Sequence, residues 1–245
     1  TGDLGPDVEG ANNYLKTRKE DKKDKIGVIG HSEGGIIAPM IASKSKDVSF
    51  IVLLAGSGLR GAELLLLQQQ LVKKASGISE EDLQESQDFY KGLFEIITDV
   101  KNETEMRTAF DNYLKLSTQK MPESEKGGMS NADFIKLMDK QLLSPWMQYF
   151  IKYDPATALE KVTIPVLALI GEKDLQVPPK ENLEKIKASL EKANNKKSTV
   201  KELPNLNHLF QESQTGSPAE YAEIEQTFSP NALKEILNWI NSQAK

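Results

Sequence analysis

The chain contains no cysteine and only two histidines. The first absence excludes disulfides and thiolate chemistry. The second leaves any reaction that needs an imidazole base with two candidates, His31 and His208. No apolar run approaches the length of a membrane span, and no signal peptide is visible. Neither a phosphate-binding glycine loop nor a metal-ligand cluster stands out, so no cofactor and no metal are expected. An excess of basic charge is also missing. The net charge is −5 with both signs interleaved, which argues against a nucleic-acid surface. Even the densest charged run, Arg18 to Lys25, alternates in sign and reads as a solvated loop.

What the chain does have is enough apolar content, 38% of 245 residues, to bury a large core. Its most informative stretch is Ile26-Gly27-Val28-Ile29-Gly30-His31-Ser32-Glu33-Gly34-Gly35, a short apolar run that ends in G-x-S-x-G. In such an elbow a strand turns so sharply into a helix that side chains at Gly30 and Gly34 would collide. Ser32 is then held in a strained conformation with its hydroxyl exposed to a substrate carbonyl. Ile26 to Ile29 read as a buried strand, and Gly34 to Ala42 as the helix that follows.

A serine hydroxyl needs a base to take its proton. His31 adjoins Ser32 on the tight turn, where neighbouring side chains point in different directions, so His208 is the better candidate. It follows the β-type run Ser198 to Leu203 and would lie on a loop at a strand end. The third member, a carboxylate that fixes the imidazole tautomer, is chosen by position. Ile164 to Ile170 form a second buried-strand pattern, ending in Gly171-Glu172-Lys173-Asp174. Acids at the carboxyl end of a parallel strand can meet groups from its neighbours, which selects Asp174 with Glu172 in reserve.

The order Ser32, Asp174, His208, each after an expected strand, resembles the α/β-hydrolase superfamily. More narrowly, Gly30-His31-Ser32-Glu33-Gly34-Gly35, Gly171-Glu172-Lys173-Asp174 and Leu206-Asn207-His208-Leu209-Phe210 resemble bacterial carboxylesterases of the EstD-like group. The resemblance implies that Ser32 is nucleophile, Asp174 acid and His208 base, with the backbone N–H of Glu33 as half of the oxyanion hole. It implies a serine esterase acting on a small-molecule ester, with peptidase, thioesterase, acyltransferase or an inactive scaffold as alternatives. It also implies four strands and a helix ahead of the elbow strand, where this chain has one helix, Asp7 to Arg18. The chain thus reads as a piece of a longer protein, or as a fold without that half; compartment and oligomeric state stay open.

The expected fold is α/β: a doubly wound, mostly parallel sheet with a helical cap insertion. The core segments are residues 1–58 and 153–245, with the insertion at residues 59–152. Within it, helical periodicity covers Gly61 to Ser76, a stretch opening at Ser79, Glu103 to Lys115 and Asn131 to Leu143, with Glu123 to Gly128 as a mobile link. Met138, Trp146, Met147, Tyr149 and Phe150 form an apolar cluster. It is either the insertion's own core or, through Trp146 and Tyr149, a wall for substrate. Gly56 and Ser57, just past the strand Phe50 to Ala55, are candidates for lining a pocket beside Ser32.

Overall fold

The computed structural model describes residues 4–18, 25–121 and 125–243. Most of the charged run at Arg18 to Lys25, and the first two residues of the link at Glu123 to Gly128, lie outside the described residues. In chain order the elements are α1 (Leu4–Thr17), β1 (Gly27–His31), α2 (Glu33–Ala42), β2 (Phe50–Leu54), α3 (Gly61–Ala75), α4 (Glu80–Asp99), α5 (Glu103–Thr118) and α6 (Asn131–Leu142). There follow α7 (Pro145–Lys152), α8 (Ala156–Leu159), β3 (Val166–Gly171), α9 (Pro179–Lys192), β4 (Ser198–Leu203) and α10 (Pro230–Gln243), with a 3-10 turn at Pro218–Glu220. They form two compact units: Thr1–Arg60 with Asp154–Lys245, and Gly61–Tyr153.

Among the described residues the first unit holds a four-stranded sheet in the order β1-β2-β3-β4, every pair parallel. Its inner strands are continuous apolar runs, Phe50-Ile51-Val52-Leu53-Leu54 and Val166-Leu167-Ala168-Leu169-Ile170, buried along their whole length because helices cover both faces. Strand alternation sorts these residues. Ile51, Leu53, Val166 and Ala168 pack against Ile37 and Ile41 of α2, Leu159 of α8 and Ile186 and Leu190 of α9. On the other face Phe50, Val52, Leu54, Leu167 and Leu169 meet Ala232 and Ile236 of α10 and Phe210. Strand β4, at one edge, is largely polar and partly exposed. Strand β1, at the other edge of the order, is less buried than its apolar run suggests, and Ile29 is 53% exposed. Helix α1 packs on α2, while Tyr14 and Leu15 stay 62% and 37% exposed.

The second unit is helical among its described residues, α3 to α7. Its helices start where side chains satisfy orphan amides: Ser79 accepts from the Asp82 N–H, Asn102 from Thr104 and Glu105, Ser130 from Asp133, and Ser144 from Met147. Its core is its own, built on Phe89, Leu93, Ile97, Met106, Phe110, Leu114, Phe134 and Met138. No helix among the described residues is long and apolar enough to cross a membrane.

Candidate active site

The elbow forms because backbone, not side chain, fills the space between β1 and α2. A Cβ on Gly30 would lie 2.0 Å from the Gly34 carbonyl oxygen, and one on Gly35 would lie 2.6 Å from the Gly56 Cα. A Cβ on Gly34 would meet open space, so the crowding expected there falls on Gly30 and Gly35 instead. The chain can therefore turn within one residue, and Ser32 takes φ 54°, ψ −114°. Positive φ is strained for serine and persists because its surroundings hold it. The Ser32 N–H donates to the Leu54 carbonyl at 2.9 Å, and its own carbonyl accepts from Gly35 N–H at 2.9 Å. Glu33 opens α2 immediately behind it.

Asp174 sits just past β3. Asp174 is 1% exposed, and its Oδ1 accepts from the N–H groups of Gln176 and Val177 at 2.9 and 2.8 Å. These bonds leave Oδ2 directed at His208 Nδ1, 2.8 Å away. The imidazole therefore carries its proton on Nδ1 and presents a bare Nε2 to the Ser32 hydroxyl at 3.1 Å. Hydroxyl, imidazole and carboxylate form one hydrogen-bonded chain. Such a relay can take a proton from serine and return it to a leaving group without moving a heavy atom far.

His208 rides on a tight loop beyond β4 whose geometry comes from Asn207. This fully buried side chain accepts from the N–H groups of Leu209 and Gln211 through Oδ1 and donates to Gln211 Oε1 through Nδ2. Asn205 and Phe210 take positive φ, 63° and 60°, to make the turn. Glu172, the reserve acid, does not face the imidazole: its carboxylate accepts from the Asn205 N–H at 2.8 Å and ties the loop to the end of β3.

His31 turns away from Ser32, and its Nε2–H donates to the His208 carbonyl at 2.8 Å. Partial burial of the ring holds this imidazole below the usual histidine range. The His208 carbonyl pulls the other way, the His208 ring lowers it further, and the Asp174 charge raises it.

Gly56 and Ser57 serve the packing under the elbow. Gly56 lets the backbones of β2 and α2 approach, and Ser57, 4% exposed, joins a network around the buried Asn182. Asn182 Oδ1 accepts from the Ser57 hydroxyl and from the Gly58 and Leu59 amides, while Nδ2 donates to the Pro178 carbonyl. The Ser57 hydroxyl is thus engaged inside the protein rather than bordering open space. Trp146 and Tyr149 belong to the second unit, where they stack on Phe150 and Tyr153 and are 46% and 38% exposed; Met138 is buried in that unit's core. A cavity of about 500 Å³, lined in part by His31, Leu54, Leu209 and Phe228, borders the loop that carries His208. A larger one of about 1020 Å³, between Lys201, Asn205 and Glu235, includes none of Ser32, Asp174 and His208.

The parallel sheet, the strand–serine–helix elbow and the chain order Ser, Asp, His define the α/β-hydrolase class. Residues 8–212 match the family described as BAAT / acyl-CoA thioester hydrolase C terminal, and the chain belongs to that family. No curated protein matches the chain. Among solved structures it is similar to an esterase from Pyrococcus furiosus, at 14% identity and a TM-score of 0.47 over 97% of this chain and 60% of that one. It is also similar to an α/β fold family hydrolase from Bacillus anthracis, at 18% identity and a TM-score of 0.46 over 99% and 73%. A third is an esterase from Exiguobacterium antarcticum, at 16% identity and a TM-score of 0.45 over 97% and 72%. The chain spans 60% of the length of the Pyrococcus furiosus protein.

Proposed function

We propose that the protein hydrolyses carboxylic esters of small molecules through an acyl-enzyme on Ser32. The observation that carries this reading is the unbroken chain from Ser32 Oγ through His208 to Asp174, at 3.1 and 2.8 Å. His208 Nε2 takes the hydroxyl proton as Ser32 Oγ attacks the ester carbonyl. The Glu33 N–H, at the start of α2, stabilises the oxyanion of the tetrahedral intermediate. The alcohol leaves with the proton held by His208, and water, activated by the same imidazole, then releases the acid and restores Ser32. Asp174 keeps the imidazole in the Nδ1–H form throughout.

A thioester is the second reading, favoured by the description of the family that residues 8–212 match. The elbow specifies a nucleophile and not a leaving group, so both reactions use the same residues. A matched pair of substrates, one acyl group on an oxygen ester and on a thioester, separates them. The expected result is a higher kcat/KM for the oxygen ester, with both activities lost in Ser32→Ala. A kcat/KM at least about tenfold higher on the thioester, equivalent to about 1.4 kcal/mol of transition-state stabilisation, would replace the first reading by the second.

A further inference from the structure

The two residues at the tip of the elbow strand both reach His208, but by different atoms. The Ser32 hydroxyl meets the imidazole, whereas the His31 side chain donates from Nε2 to the His208 backbone carbonyl at 2.8 Å. The His31 ring also lies against the base: the two ring centroids are 4.9 Å apart at an interplanar angle of 47°, with the Phe210 ring edge-on to His31 at 6.3 Å. The His31–His208 hydrogen bond joins residues 177 apart in sequence, so the nucleophile's own strand grips the backbone that carries the base.

That grip has something to hold. Asn205 and Phe210 both take positive φ in this loop; asparagine adopts it readily, but phenylalanine does so only when its surroundings impose it. Asn207 braces the loop from within by bonds to Leu209 and Gln211. His31 braces it from the elbow. Proton transfer between Ser32 Oγ and His208 Nε2 depends steeply on their separation and angle; a misplacement of about 1 Å can cost on the order of a hundredfold.

We infer that His31 is a positioning residue, which sets the distance between base and nucleophile by hydrogen-bonding the His208 carbonyl. The inference rests on the hydrolase reading above. A neutral imidazole protonated on Nε2 suffices for this bond, so His31 need not place a second cation beside His208 when the latter takes up the serine proton. A ring without a donor keeps the packing and loses the bond; a side-chain amide restores a donor without the ring.

The test is steady-state kinetics on an aryl ester for His31→Phe, His31→Leu and His31→Gln, with thermal unfolding followed in parallel. In His31→Phe and His31→Leu kcat should fall by about tenfold or more while KM stays within about twofold, and His31→Gln should recover most of the lost kcat. Should either donor-free variant fold poorly, the comparison is made between the other one and His31→Gln. Parental kcat in a folded donor-free variant, or an equal loss in His31→Gln, would overturn the inference. Turnover that survives Ser32→Ala and His208→Ala overturns the hydrolase reading and this inference with it. Loss in those two beside full activity in His31→Phe overturns only the role of His31.

Discussion

His208→Ala should lower kcat for an aryl ester by about 10⁴-fold or more, with little change in the melting temperature. The size of the effect follows from how the two imidazoles are used. His208 Nε2 is the basic nitrogen 3.1 Å from the Ser32 hydroxyl. His31, the other imidazole, is committed through Nε2 to the His208 backbone carbonyl, which survives replacement of that side chain by a methyl group. It cannot reach Ser32 without breaking that bond and turning back along its own strand. An unassisted serine hydroxyl is a poor nucleophile at neutral pH, so the acylation rate should collapse. Folding should not, because the loop is held by the Asn207 side chain and by the carbonyl, neither of which the substitution removes. Steady-state kinetics with a circular-dichroism melt checks both halves. A folded His208→Ala within about tenfold of the parent would show that another group is the base.

Asp174→Asn is the second large effect, and it acts by tautomer rather than by loss of contact. Oδ1 of Asp174 is fixed by the N–H groups of Gln176 and Val177, both of which need an acceptor. An asparagine here therefore keeps its oxygen on that side and turns its NH₂ toward His208 Nδ1. Two donors cannot face each other, so the imidazole shifts its proton to Nε2 and presents N–H to the Ser32 hydroxyl in place of a lone pair. The base is then in place but already protonated. The expected loss is about 10³- to 10⁴-fold in kcat, with KM little changed because the site keeps its shape. Asp174→Asn should thus cost nearly as much as removing the imidazole. A loss below about tenfold would mean that Asp174 merely shapes its turn.

The sheet is legible in the sequence for a physical reason. Phe50 to Leu54 and Val166 to Ile170 are buried on both faces, and a strand in that position must be apolar at every residue. The elbow is legible because backbone-on-backbone contact at Gly30 and Gly35 admits no other residue. Chain order and strand ends then narrow the acids to Asp174 and Glu172, and the structure distinguishes them by which one faces His208.

The supports of the site have no comparable signal. Asn207 and Asn182 each satisfy several backbone groups through one amide, and nothing periodic marks a side chain whose partners come from loop conformation. The positive φ of Phe210 could not be read from its residue type, since left-handed turns ordinarily favour glycine or asparagine. Ser57 gives an ambiguous signal for a related reason: a small polar residue after a strand end suits an open pocket and a packed network equally well, and its bond to Asn182, 125 residues away, leaves no mark in the local pattern. The contact of His31 with the His208 carbonyl depends on where a distant loop comes to rest, so exclusion of His31 as the base gave no hint of what it does instead.

The central claim is that Ser32 is a nucleophile activated by His208. Incubating the protein with a fluorophosphonate probe, digesting it and locating the adduct by mass spectrometry tests that claim most directly, because the probe reacts with an activated serine whatever the natural acyl group or leaving group is. A single adduct on Ser32, formed in the parent and absent in His208→Ala, is the predicted result. Well-folded protein in which Ser32 stays unlabelled, or is labelled equally fast without His208, would contradict it.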